Sequence, residues 1–347
     1  MRTVMLLTVG LLGIWIQYGA VRAAQPVYED VVWLTESARL PAVTGRRVLT
    51  AVRHPPSYQL TELLYDVETH AGMSLARRHL HNVLLHLVVG LGVGLLAWQV
   101  TGVWRVLPVL VFWWCPIQTE AVAYLAGRSE AIAALGILIA CLSIGRRSWW
   151  GLRGLGVGIG LLLAMNAKPS GLVALPLVIG YALWQHWRVV ALRRSLVVGI
   201  LGLAMGILLL PGVQHLARWG QDLVRSAPHH WHVLSWIGMQ SVALIRLAAL
   251  VVWPQGFTVD HDYDVVPTWV VVVAMLIVAG VVSAAVRQVR TQPIWAGAVL
   301  WVLCALGTRF LIPYGEFLGE NKMYIPMIGI SIAVAQIGVP RRLRGFA

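Results

Sequence analysis

Long runs of uncharged, apolar residues recur along this chain, and they leave room for few folds. Runs at residues 3–20, 79–100, 106–119, 129–145, 154–167, 171–187, 195–212, 267–286, 293–311 and 324–339 alternate with short cationic links. A hydrocarbon layer about 30 Å thick takes roughly 20 residues of helix to cross. Within it, a segment must satisfy its own backbone hydrogen bonds. The expected fold class is therefore all-α, a polytopic membrane helical bundle of about ten spans. Composition agrees, with 59% hydrophobic and 12% charged residues and a mean hydropathy of +0.75. The cysteines Cys115, Cys141 and Cys304 are far apart and mostly within apolar runs, which speaks against a disulfide framework or a thiolate metal site. No repeat at solenoid spacing and no low-complexity tract divides the chain, so residues 1–347 read as one membrane domain.

The net charge of +13 does not point to nucleic acid, because the cations fall in short clusters between apolar runs, as in cytoplasmic loops. Orientation turns on residues 235–253, which are apolar enough to cross yet carry Arg246 near their middle. If this stretch is interfacial or re-entrant, the inner side collects Arg2, Arg105, Arg146, Arg147, Arg153, Arg188, Arg193, Arg194, Arg287, Arg290, Arg341, Arg342 and Arg344 without one carboxylate. All 14 acids then face outward. If it crosses, Asp260, Asp262, Asp264, Glu316 and Glu320 become cytoplasmic and the C-terminal arginines face out. The positive-inside rule favours the first arrangement, with both termini inside and residues 21–78 forming a long first extracytoplasmic loop. The first run is read as an uncleaved anchor; cleavage near Val21-Arg22-Ala23-Ala24 is the alternative.

This topology places the chemically capable side chains on one face: every one of the 11 histidines except His186, and both lysines, Lys168 and Lys322. A charge drawn into an apolar segment costs about 2.5–3.5 kcal/mol at mid-membrane and is usually functional where it is kept. Glu29 and Asp30, adjacent acids just after the first run, need a reason to be there. His79, Asn82 and His86 lie on one helical stripe, where metal ligation competes with helix–helix hydrogen bonding. Arg128, at a helix start, is either an anion cradle or an anchor paired with Glu130 or Glu120. Lys168 breaks an apolar hairpin and can reach a phosphate or snorkel to headgroups. Asp260-His261-Asp262 has the residue types of a metal cluster, although successive residues rarely converge on one ion. Glu320-Asn321-Lys322-Met323-Tyr324 opens the last run.

In order along nearly the whole chain, these segments resemble the membrane domain of the transmembrane and tetratricopeptide-repeat O-mannosyltransferases and their bacterial relatives, which are GT-C class glycosyltransferases. The resemblance rests on Tyr28-Glu29-Asp30, on His79-Leu80-His81-Asn82-Val83-Leu84-Leu85-His86, and on Pro116-Ile117 with Thr119-Glu120-Ala121-Val122-Ala123. It continues through Gly127-Arg128-Ser129-Glu130, Lys168-Pro169 before Leu175-Pro176, Trp253-Pro254 with Asp260-His261-Asp262-Tyr263, and Glu320 through Pro326 with Gly329. The chain departs from the family at Cys115 and Gln118, where histidines are usual, at Glu29, where Asp is usual, and in having no repeat domain before its end at Ala347.

The resemblance implies transfer of a sugar, such as mannose, from a polyprenyl-phosphate donor to a hydroxyl of a protein or cell-envelope glycan. The active face would be the extracytoplasmic side of a bacterial inner membrane. Asp30 is the expected base, with Glu29 orienting the acceptor or a metal. Arg128, Lys168, Lys322 and Arg309 are the expected partners of the leaving phosphate. His79, Asn82, His86, Glu120, Asp260, Asp262, Glu320 and Tyr324 are expected in support. No cofactor is named by the residues, and a divalent cation is left open. A lipid-linked sugar transporter would instead place ionisable groups near the midplane in two repeated halves, and a non-catalytic scaffold would tolerate loss of Asp30.

Overall fold

The computed structural model describes residues 2–22, 25, 29–39, 58–145, 150–188, 233–257, 266–311 and 319–337, and among these it is all-helical, with no strand. In chain order the helices are α1 (Arg2–Val21), α2 (Glu29–Arg39), α3 (Gln59–His70), α4 (Leu75–Thr101), α5 (Leu107–Trp114), α6 (Thr119–Ala123), α7 (Arg128–Gly145), α8 (Trp150–Ala167), α9 (Ala174–Arg188), α10 (Val233–Val252), α11 (Thr268–Gln288), α12 (Pro293–Ala305), α13 (Gly307–Leu311) and α14 (Tyr324–Val334). Short 3-10 turns at Pro116–Gln118, Leu125–Gly127, Pro169–Val173 and Glu320–Met323 lead into α6, α7, α9 and α14.

Among the described residues, Leu75–Thr101, Leu125–Gly145, Leu234–Val252 and Thr268–Gln288 are helical stretches long and apolar enough to cross a membrane. Shorter apolar helices stand at Val4–Gly19, Gly151–Ala167, Pro169–Gln185 and Pro293–Ala305. The membrane character read from the sequence is thus present in the fold, while the count of long spans is smaller than expected. One reason is visible at residues 106–119. The helix there stops at Trp114 because Pro116 breaks it, and its eight residues are about 12 Å long at 1.5 Å rise per residue. Of residues 235–253, expected to be an interfacial or re-entrant helix, all but Trp253 belong to one continuous helix, α10, that meets the length and apolarity for crossing. The expected span at 195–212 lies outside the described residues.

The sidedness of α4 shows how sequence becomes packing. Leu84, Val88, Leu91, Leu95 and Trp98 recur at helical spacing and are exposed, which is the stripe a lipid-facing helix presents. The opposite stripe buries His79, Asn82, Val83, His86, Val93 and Leu96 against the bundle. At its far end α4 closes on Gly102, whose left-handed φ of 71° lets its N–H reach the Trp98 carbonyl.

The closest pairing in the bundle is that of α7 with α8. An added Cβ on Gly136 would stand 2.5 Å from the Gly160 carbonyl oxygen, and one on Gly160 would stand 2.4 Å from that of Gly136. Apolar helices in lipid gain nothing from burying grease, so close backbone approach through small residues is what holds them together. Gly136→Ala is expected to cost about 1–3 kcal/mol by overpacking, seen as a lower melting temperature in detergent. Gly158→Ala, on the same pair of helices but with nothing within 4 Å of the new methyl, should leave that temperature unchanged.

Candidate functional site at the start of helix α7

The N-terminal end of α7 is where distant stretches of the chain meet. Asp30, 1% exposed, reaches out of α2 to the 3-10 turn before α7, where Oδ1 accepts the Ala126 N–H at 2.8 Å and Oδ2 the Leu125 N–H at 3.2 Å. Helix starts leave their first N–H groups unpaired, and a carboxylate there is favoured by hydrogen bonding and by the helix dipole. Asn82 on α4 grips the same turn from below. Its Nδ2 donates to the Tyr124 carbonyl at 3.1 Å, and its Oδ1 accepts from Arg128 Nε at 3.0 Å.

Arg128 is buried and fully engaged. Its guanidinium pairs with Glu68 Oε2 at 2.8 Å and lies 4.6 Å above the Tyr65 ring. The expected alternatives for Arg128, a partnership with Glu130 or Glu120, are both replaced by Glu68. That carboxylate, on α3, also holds His81 Nδ1 at 2.7 Å and stands 3.8 Å from Arg78. Burial pushes the Tyr65 phenol far above its usual range, with Asp30 and Glu68 adding to the effect and Arg128 opposing it. The Tyr65 hydroxyl therefore stays protonated, and it has no hydrogen-bond partner among the described residues.

A second carboxylate, Glu130, faces inward one turn further along. Lys168 donates to its Oε1, and Lys322 Nζ lies 3.9 Å from the same oxygen. The chain's only two lysines therefore share one glutamate. Lys168 is delivered by a sharp reversal after α8, so tight that a Cβ on Gly171 would meet the Ala164 carbonyl oxygen at 1.9 Å. Lys322 comes from the 3-10 turn before α14, which is tied back to α6 where Glu120 Oε2 accepts the Asn321 N–H at 2.8 Å. Lys168 is buried, whereas the Lys322 side chain keeps 26% of its surface exposed.

The remaining expected residues divide. Glu320 is buried in the 3-10 turn carrying Lys322, and that turn packs on α6 and on the turn before it. Arg309 is buried on α13, which packs on the turn after Lys168, and its carbonyl accepts the Trp236 indole N–H at 2.7 Å. His79 is buried on α4. His86 sits deeper, where Nε2–H donates to the Trp113 carbonyl at 3.2 Å and Nδ1 accepts the Tyr324 hydroxyl at 2.8 Å. Both ring nitrogens of His86 are thereby used in hydrogen bonds, as is the Asn82 side chain on the same stripe. Among the described residues no group of three or more His, Cys, Asp or Glu could hold a metal ion. Asp260, Asp262 and the Glu29 side chain lie outside the described residues.

Glu68, Tyr65 and Arg78 are not singled out by the sequence, and Glu130 only as a partner for Arg128 and as part of the Gly127-Arg128-Ser129-Glu130 segment. The signal was present for two of them: Thr61, Tyr65 and Glu68 fall on one face of α3, and all three are buried. Among protein families, curated proteins and solved structures, none matches this chain.

Removing one member of a buried ion pair strands the other, at about 3–5 kcal/mol. Glu130→Gln should therefore lower the melting temperature in detergent sharply, and Glu130→Gln with Lys168→Met should recover part of the loss. A single variant as stable as the parent would contradict the geometry.

Proposed function

We propose that this chain is a GT-C type glycosyltransferase. It moves a sugar, such as mannose, from a polyprenyl-phosphate donor to a hydroxyl of a protein Ser/Thr or cell-envelope glycan, on the outer face of a bacterial cytoplasmic membrane. The observation that carries this reading is convergence. The segments that carry the resemblance are spread from residue 28 to residue 329, yet Asp30, Asn82, Glu120, Arg128, Lys168, Glu320 and Lys322 gather around the start of α7.

In the transfer, the acceptor oxygen bonds to the anomeric carbon as its proton passes to a carboxylate. The bond from that carbon to the phosphate oxygen breaks, and the lipid phosphate leaves with the electron pair. The departing anion needs fixed positive charge in a poorly hydrated place. Lys322 fits this role best, because an ammonium has three donors and can hold Glu130 and a phosphate oxygen together. Arg128 is committed to Glu68, so its part is to shape the site, and Lys168 keeps Glu130 in place. Asp30 remains the candidate base, with Glu29 beside it in sequence; its oxygens accept the Ala126 and Leu125 N–H groups at the head of the site. Its capping role makes Asp30→Asn a poor test, since a carboxamide nitrogen cannot accept the Leu125 N–H and the turn itself would be disturbed.

Lys322→Gln is the cleaner variant, because Lys168 still holds Glu130. With a labelled polyprenyl-phosphate sugar and a membrane extract, it should transfer about 10²-fold more slowly than the parent at an unchanged melting temperature. Undiminished transfer by Lys322→Gln, or no transfer by the parent protein with divalent cation present, would contradict the proposal.

A further inference from the structure

On the other side of the turn that follows α5, a cleft of about 370 Å³ opens between α1 and residues 113–122. Its walls include Ile16, Trp113, Trp114 and Cys115, and among the described residues no charged one lines it. At its edge stands Gln118, 2% exposed, with neither Oε1 nor Nε2 hydrogen-bonded among the described residues. Across from it, Gln17 uses its Nε2 to donate to the Trp113 carbonyl at 2.9 Å, while its own Oε1 is buried with no hydrogen-bond partner among the described residues.

An amide taken out of water with both ends unmatched is unfavourable. This one lines a mostly apolar cleft, where its ends can be matched by a ligand. We infer that the cleft binds a neutral lipid with a hydroxyl head. A hydroxyl both donates and accepts, so one such group can satisfy the Gln118 carbonyl and amide together. A phosphate or ammonium head would enter without a counter-charge, at the cost of desolvating it, and the indole and aliphatic walls suit a hydrocarbon chain. The cleft uses none of the charged residues at the start of α7, so this inference stands or falls independently of sugar transfer.

Cys115 in the wall is half-buried and makes a built-in reporter once Cys141 and Cys304 are replaced by alanine. In that background, monooleoylglycerol should slow alkylation of Cys115 by a maleimide about tenfold when its concentration exceeds Kd by that ratio. Dioleoyl phosphatidylglycerol at the same concentration should not. Gln118→Leu, or Gln118→Met if leucine lowers the melting temperature, should abolish the protection while leaving the protein folded. Absence of protection in the parent, protection that survives loss of the carboxamide, or equal protection by the anionic lipid would each overturn the assignment.

Discussion

A buried glutamate held by lysine at the start of α7 is the interaction on which the rest of this structure depends. Glu130 is buried with Lys168 on the same carboxylate oxygen. In an apolar interior neither charge is tolerable alone, and together they persist only where geometry fixes both. That requirement sets the path of the chain. α8 must end in a reversal that returns Lys168 toward α7, and the turn before α14 must bring Lys322 to the same oxygen. The Glu68–Arg128 pair does the same for the segment that carries α3, drawing it onto α4 and α7.

These two pairs differ in what they leave for chemistry. Around Glu68, Arg128 is enclosed by a carboxylate, an asparagine, a carbonyl and a tyrosine face. Such a guanidinium is a strut. Around Glu130, one lysine is buried and the other keeps a face toward solvent. A rigid buried carboxylate that orients a partly exposed ammonium is a preorganised partner for an anion, which is the role the proposed transfer gives it. Asp30 links the two by fastening the turn between them.

Much of this was legible in the sequence, and the failures have physical causes. All-helical membrane architecture followed from apolar runs. The resemblance gave Asp30, Arg128, Lys168 and Lys322 as one site with Asn82 in support, and in the structure these residues meet near the start of α7. Pairwise partners did not follow, because Arg128 and Glu68 are far apart in sequence and meet only when α3 folds onto the bundle. The span expected over 106–119 was overestimated because hydropathy averages through Pro116, which ends α5. Charge counting treated residues 235–253 as interfacial because of Arg246. In the structure residues 235–252 are part of α10, with Trp236 and Gly238 packed on α13 and α11.

The most direct measurement of the central claim is an experimental structure of the protein in nanodiscs with a polyprenyl-phosphate sugar bound. The account predicts phosphate oxygens within hydrogen-bond reach of Lys322 Nζ, with the Glu130–Lys168 pair intact beneath them. Donor density at another rim of the bundle, or Lys322 turned away from the phosphate with Glu130 unpaired, would contradict it.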